Sequence, residues 1–500
     1  MNENLSQQFN QEFDLLIIGG GINGAAIANM AAGCNLKVAL IEKNDFAAGT
    51  SSKSTKLVHG GIRYLENLEL DLVYESLHER FRQVQCAPHL VKPIPFLIPV
   101  YKNDARPLWM MKLGVFLYDA LAGRFTLGKH KTLSVGETEL LEPSLNKENL
   151  LGSVMYYDAQ MDDARLCLEN ILEAKRKGAI VANYTEAAAF LKENDKIVGV
   201  RARNSFNHDS FDIRAKKIIS ATGPWSNSLI RLDKTHEKKR VRTTKGVHIV
   251  YKGKLVNTAI LITSHSDKRI FFAIPFLNNT LIGTTDTDYI GNPDKVTVNE
   301  KDIAYLMNEA KRVLPGLEFK NENILTSFAG LRPLVRSGGV LPSKATRKHD
   351  IFTTPSGVTF VIGGKYTTYR AIAEDCLKRV LKIRSKEEFR VYGSGVVIEK
   401  PEEIAKKFRI ELESAQALVN KYGTRYKDVL KLTETNSSLK ERFCSCNPFI
   451  KAQVIYSIKN ELAQTPEDII ERRLGLCFYQ CATKDCEKFI HHFTHSNGRY

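Results

Sequence analysis

Close to its beginning the chain passes from a solid apolar run through glycines into small residues at helical spacing, and then into a second apolar run. Residues 13–18 are rich in Leu and Ile, the pattern of a strand covered on both faces. Ala25, Ala26, Ala28, Met30 and Ala31 recur as on a helix, and residues 38–41 predict a second buried strand that Glu42 closes. Gly19, Gly21 and Gly24 stand between first strand and helix in G-x-G-x-x-G spacing, with Asn23 among them. Gly19 allows the tight turn, Gly21 lets a pyrophosphate approach the backbone, and Gly24 lets helix and strand pack closely. The helix N-terminus offers N–H groups and partial positive charge to phosphates. Glu42, followed by Lys43, stands about 20 residues after the glycines, where such a fold places its ribose-binding acid. Together these features predict a dinucleotide-binding unit rather than a glycine-rich turn in an unrelated sheet. Residues 15–34 carry no charge, yet Asn23, Asn29 and the glycines make them a poor membrane span, and no other apolar run is long enough.

Residues 47–66, AAGTSSKSTKLVHGGIRYLE, are dominated at first by small and hydroxyl residues and predict an irregular loop. Thr50, Ser51, Ser52 and Ser54 suit phosphate and sugar; His59, Gly60 and Gly61 bring backbone close to a bulky group; Arg63 and Tyr64 follow directly. A serine-capped surface loop would not explain Arg63 beside two glycines. Residues 65–84 read as an amphipathic helix, and the proline-rich 92–101 as an edge strand. Residues 105–123 mix Trp109, Met110, Met111, Phe116 and Leu117 with Arg106 and Lys112. Such a helix suits a membrane surface, but a core or inter-domain position is the commoner case and is expected here. Residues 158–172 predict a helix with an acidic first turn. A buried strand then runs into Ala221, Thr222 and Gly223, with Trp225 behind it. From Arg240 the pattern alternates, predicting an antiparallel sheet with one covered face. His248 lies in its first strand, where a lone histidine is usually structural. Arg332 and Arg347 stand beside turn residues, as anion ligands or as surface arginines paired with carboxylates. Residues 357–362 run into Gly363, Gly364, Lys365, Thr367, Thr368 and a helix, repeating the opening logic. Beyond a connector near 386–400, amphipathic helices predict a small helical domain.

The 500 residues exceed one compact core. The first 11 residues are polar and include Glu3, so no secretory signal is read and the protein is expected in the compartment where it is made. Nine cysteines show no zinc-spaced C-x-x-C pairs. Cys444 with Cys446 and Cys477 with Cys481 are possible ligand pairs, but reduced thiols in a reducing cytosol are expected and no metal site is assigned. The formal charge of +16 fits nucleic acid, an anionic membrane surface, or an anionic substrate with a solvated basic face. Because Lys and Arg are spread along the chain, no nucleic-acid partner is expected and the membrane surface stays open.

GGGING, GTSSKSTKLVHGGIRYLE, ATGPWSN, KGVHIV, IGTTDTDY, GLRPL and GGKYTTYR stand in order along the chain. Together they closely resemble the FAD-dependent, membrane-associated glycerol-3-phosphate dehydrogenases, from about residue 14 into the last third. KYGTRYKDVL and EDIIERRLGL resemble the family's C-terminal helical domain. Two departures are Val247, where the family usually has a small hydroxyl residue, and Leu474, where a threonine usually follows the paired arginines. The resemblance implies an α/β (α+β) class: a two-dinucleotide-binding FAD fold over residues 1–385, interleaved with antiparallel substrate-binding segments near 70–150 and 235–345, and a helical domain over 386–500. It implies oxidation of sn-glycerol 3-phosphate to dihydroxyacetone phosphate, with electrons passed to a quinone, by a cytoplasmic enzyme attached peripherally to the membrane; a homodimer is possible. FAD would be held by the glycines, acid and hydroxyls named above, with Lys365. Arg63, Arg347 and Lys365 are expected to contact phosphate or hydroxyls, Tyr64 to shape the pocket, and Arg332 to stabilise a developing alkoxide. His248 is the candidate base, with hydrogen bonding to the flavin as the alternative. Oxygen as acceptor, an RNA-directed flavoprotein and a flavin-holding protein without turnover are the competing functions.

Overall fold

Apolar on both sides, the strand Glu12–Ile18 takes the middle of a parallel sheet in the computed structural model, which describes residues 5–234, 240–318, 320–336, 348–384, 387–479 and 484–495. It pairs with Val38–Ile41 on one edge and Ser210–Ser220 on the other. Val358–Gly363 extends the sheet in parallel beyond Ser210–Ser220, His349–Thr353 closes that side antiparallel, and Ile180–Ala182 lies beyond Val38–Ile41. Helices Ile22–Ala32, Asp163–Arg176 and Tyr369–Leu381 cover one face, where Ala25, Ile171 and Ile372 join Leu15, Ile17 and Leu40 in one core. Leu16, Ile18, Ala39 and Ile41 face the other way, onto Val200, Ala202 and Ile213.

The chain leaves this sheet twice to build a second, largely antiparallel one. Residues 57–161 supply Leu57–Val58, Val91–Tyr101, Lys131–Leu133 and Leu150–Met161; residues 241–335 supply the rest. Both faces of this sheet are covered, not one. Val250, Leu261, Ile274 and Leu281 pack on Leu72, Leu77, Val115 and Tyr118. Ile249, Ile260, Ala273 and Ile282 pack on Leu306, Met307 and Ala310 of the helix Glu300–Val313.

Several local expectations change. The helix expected from residue 65 spans Leu70–Cys86, because Ile62–Asn67 forms a 3₁₀ turn that ends at Leu68 in left-handed conformation. Val91–Tyr101 is an internal strand, not an edge. Pro93, Pro95 and Pro99 are separated by even numbers of residues, so their missing N–H groups face one side while pairing with Leu150–Met161 continues on the other. Asp158 belongs to that latter strand, and the acidic helix starts at Asp163 with Asp162 as its cap. Arg332 lies within the strand Ile324–Val335 rather than beside a turn. The helix Leu108–Ala122 buries Val115, Tyr118 and Ala122 but exposes Trp109, Leu113 and Phe116, which removes the core alternative of the core or inter-domain position expected. Among the described residues no helix is long and apolar enough to cross a membrane.

Helices Pro401–Phe408, Leu412–Tyr422, Tyr426–Thr435, Lys451–Asn460 and Lys484–His495 form the last part of the chain around cores of their own. Buried ion pairs fasten them to the parallel sheet's helices. Arg165 donates to both oxygens of Glu461 at 2.8 and 2.9 Å, and Arg425 bridges Glu169 and Glu461. Arg472 and Arg473 both reach Asp45 at 2.6 Å, while the departing Leu474 is buried in the helical core. Cys444 and Cys446, expected as reduced thiols with a ligand pair as the alternative, gather in one place with Cys486. Cys477 stands apart from them, and Cys481 lies outside the described residues.

Burial pushes the Glu461 carboxyl up, but Arg165, Arg425 and Arg473 outweigh it and hold the group at about 2 against an ordinary 4.5. A carboxyl depressed on folding adds stability that is complete above its unfolded pKa and fades as pH falls through the folded value, here from 4.5 toward 2. Glu461→Gln, which leaves two buried guanidiniums sharing the single carboxylate of Glu169, is expected to cost about 3–5 kcal/mol at neutral pH and to flatten the loss of stability below pH 4.5. Urea unfolding across that pH range checks both.

Candidate active site

The end of the strand Glu12–Ile18 sets the geometry. Gly19 turns with φ +110°, and a Cβ there would stand 2.7 Å from the carbonyl oxygen of Ala221. A Cβ on Gly24 would lie 1.9 Å from the carbonyl oxygen of Gly19, so the first helical turn is pressed onto the strand end as only glycine permits. That turn has no side-chain cap at Gly21, and Gly21, Ile22 and Asn23 open onto a cavity of about 540 Å³. Glu42 accepts N–H bonds from Gly20 at 2.7 Å and Asn44 at 2.9 Å, leaving further lone pairs of its carboxylate toward the cavity it lines. Burial pushes this carboxyl up, and the two backbone N–H groups partly offset that.

The loop 47–66 wraps the same cavity, though its hydroxyls also hold the loop itself. Ser51 accepts the N–H of Ile22 at 2.9 Å, Thr50 donates to the carbonyl of Leu331 at 2.6 Å, and Ser54 donates to Asp163 at 2.7 Å. Lys43 lines the cavity while bonded to Asp294 at 2.6 Å and standing over the Trp225 ring. His59, Gly61, Arg63, Tyr64, Thr222, Gly223, Gly363, Gly364, Lys365 and Thr367 complete its wall. The two glycine loops are stitched together: the N–H of His59 donates to Thr367 Oγ1, whose hydroxyl returns a bond to the His59 carbonyl, both at 3.1 Å. Gly24, Ser52, Gly60 and Thr368 stand behind the wall: Gly60 donates to buried Asp158 and Thr368 to the carbonyl of Lys365. Arg347 lies outside the described residues.

Cations from both sheets meet here. Lys365 Nζ lies 3.9 Å from the centre of the Tyr64 ring and donates to Ser76, and Arg63 stacks on the same ring at 5.7 Å. Arg332 donates to Thr284 Oγ1 at 2.9 Å, the Thr285 carbonyl at 3.1 Å and Asp286 at 3.2 Å, which fixes its guanidinium across the backbone of Gly246. His248 is buried in the strand Val241–Tyr251 and stacked on Phe328. Burial above all, then Arg332 and Lys56, hold it well below the ordinary 6.5, so the imidazole is neutral at pH 7. Its Nε2 lies 2.9 Å from Thr55 Oγ1. Thr55 and Arg269 line the cavity too and were not singled out from sequence. Thr55 stood inside the recognised loop, whereas Arg269, anchored on the Asp286 carbonyl at 2.5 Å, precedes a strand with no motif to mark it.

Residues 14–370 match the family described as FAD dependent oxidoreductase, and residues 386–490 the C-terminal domain of alpha-glycerophosphate oxidase. The aerobic glycerol-3-phosphate dehydrogenase of Staphylococcus saprophyticus is 35% identical over 493 residues, covering 94% of this chain and 88% of that protein. That of Staphylococcus aureus is 34% identical over 494 residues with the same coverage. The FAD complex of glycerol-3-phosphate dehydrogenase from Bacillus halodurans superposes with a TM-score of 0.79 at 28% identity, covering 99% of this chain and 96% of that one. The FAD-bound L-alpha-glycerophosphate oxidase of Mycoplasma pneumoniae, at TM-score 0.59 and 23% identity over 76% of this chain and 97% of its own, shares the fold.

The helix start facing the cavity, the pressed glycines and the acid at the next strand end fit FAD, which is the cofactor. Gly24→Ala is expected to yield protein with less than about a tenth of the wild-type flavin content, because the added methyl pushes the helix start off the strand; full flavin occupancy would contradict the cradle's geometry. By its cradle, its two matched regions and its relatives, the chain belongs to the FAD-dependent glycerol-3-phosphate dehydrogenase family.

Proposed function

We propose that the protein oxidises sn-glycerol 3-phosphate to dihydroxyacetone phosphate and passes the electrons to a membrane quinone. The observation that carries this reading is the meeting of Arg63, Arg269, Arg332 and Lys365 with a neutral His248 in the cavity that also holds the dinucleotide cradle. A phosphate dianion demands more than one cation, and forked guanidiniums suit it best. Arg63 and Lys365, both against the Tyr64 ring, bind the phosphate and hydroxyls. Arg332, held by Thr284, Thr285 and Asp286, sets a fixed positive charge beside the oxygen where negative charge develops. FAD held in the cradle would supply the hydride acceptor for the carbinol carbon. We assign His248 the Nδ1–H tautomer, so that it receives the hydroxyl proton through Thr55, which lies 2.9 Å from Nε2 and gives it its own proton as it accepts the substrate's.

Attachment to the cytoplasmic face of the membrane is supported by the helix Leu108–Ala122. Trp109 is 65% and Phe116 56% exposed, beside exposed Met110, Leu113 and Leu117, while Leu68, Leu70 and Tyr74 add apolar surface on the neighbouring segment. Together with the net charge of +16, such a stripe suits shallow insertion among anionic headgroups. A homodimer would cover the same stripe.

Arg332→Ala is expected to lower kcat/KM for glycerol 3-phosphate by about 10²–10³, and Lys365→Ala to raise KM by about ten- to a hundredfold; unchanged kinetics in both would remove the site assignment. With purified enzyme, anaerobic reduction of a quinone analogue should far exceed oxygen uptake in air, the reverse being the mark of an oxidase. Replacing Trp109 and Phe116 together by Ser should release the enzyme into the wash, with turnover against a soluble dye retained. Continued attachment, or a change of oligomeric state in place of release, would count against the membrane.

A further inference from the structure

Far from the motifs of the flavin site, the helical domain gathers three sulfurs that flavin chemistry does not use. Cys444 and Cys446 sit on a loop closed by a bridge between Arg442 and Ile450. The Arg442 guanidinium ties the loop from inside, donating to the carbonyls of Ser445 at 2.5 Å and Asn447 at 2.8 Å. Cys486 comes from the first turn of the helix Lys484–His495 and is buried against that loop. The Cys444 and Cys486 sulfurs stand at bonding distance, with Cα atoms 5.5 Å apart, and the Cys446 sulfur lies 2.7 and 3.7 Å from them. All three fall within 4.8 Å of one another.

A disulfide accounts for two of these sulfurs and gives no role to the third. A metal ion accounts for all three. Tetrahedral zinc with Zn–S bonds of about 2.3 Å separates its sulfur ligands by about 3.8 Å, the spacing Cys446 and Cys486 show at 3.7 Å, and the other two pairs open to it from 2.7 Å and from bonding distance when the ion binds. The remaining surroundings suit thiolates. A helix N-terminus lies under Cys486, and the Asn447 side-chain N–H points at the Cys486 sulfur from 3.9 Å. Three thiolates select a soft or borderline ion over magnesium or calcium.

We propose that Cys444, Cys446 and Cys486 bind one zinc ion, with the fourth tetrahedral position left to a further ligand. The ion clamps the last helix to the domain. Ile490 and Phe493 of that helix share a core with Phe449, Ile469 and Leu474, next to the paired arginines that reach Asp45. The clamp therefore holds the layer through which the helical domain grips the flavin sheet. Its role is structural, and its loss acts on folding rather than on the hydride step.

The test is elemental analysis of the full-length flavoprotein purified without chelator. About one zinc per chain is expected, released by a strong chelator together with the appearance of three newly reactive thiols. Cys446→Ser should bring zinc below about a fifth of wild type at unchanged FAD content. If that variant does not fold, the chelator release and thiol count on the wild type decide alone. Metal-free wild-type protein with Cys444 and Cys486 crosslinked in non-reduced peptide maps overturns the proposal. So does iron accompanied by acid-labile sulfide, which would make the site a cluster, and so does a Cys446→Ser protein with undiminished zinc.

Discussion

One close approach governs this molecule: the backbone at Gly24 lies on the carbonyl of Gly19 with no room for a methyl group. That contact fixes where the helix Ile22–Ala32 begins, and so where its polar end meets the cavity. The strand beneath must be apolar on both faces, because helices cover one side and a hairpin layer the other. Ser210–Ser220 then has to return beside it, which brings Ala221 under Gly19 and Thr222 and Gly223 into the wall. Side chains elsewhere tune the site, but this backbone fit decides whether there is one.

Chemistry needs the second sheet. The parallel sheet supplies the cradle and Lys365, whereas His248 and Arg332 come from adjacent antiparallel strands, His248 opposite Phe328 and Arg332 opposite Thr244. Glycine again makes room, since a Cβ at Gly246 would meet the Arg332 guanidinium at 2.4 Å. The guanidinium can therefore lie flat over its own sheet, restrained by Thr284, Thr285 and Asp286. Burial keeps the nearby imidazole neutral, and the positive field of Arg332 and Lys56 reinforces that. In the proposed reaction this neutral imidazole beside fixed cations serves as proton acceptor for an alcohol attached to an anion.

Much of this was legible in the chain because local rules coincide with the global fold. Strand, glycines, helix and acid follow one another within thirty-odd residues, and each local preference agrees with the next. Where the reading failed, a non-local contact decided. The prolines of Val91–Tyr101 suggested an edge, and only the pairing with Ala259–Thr263 makes the strand internal. Alternation predicted one covered face, but the helix Glu300–Val313 covers the other. Arg269 has no motif, because its place depends on a carbonyl seventeen residues away. The cysteines were unreadable as a group, since 42 residues separate Cys444 from Cys486 and only the helical domain's fold unites them.

The proposed reaction of an anionic alcohol with a bound flavin makes one spectroscopic demand. Purified protein should be yellow, and anaerobic addition of glycerol 3-phosphate, about one equivalent per bound flavin, should bleach it. Glycerol without the phosphate should leave the colour unchanged at the same concentration, because the cations would have no anion to hold. A flavin that stays oxidised under glycerol 3-phosphate, or that glycerol reduces equally well, would contradict the account.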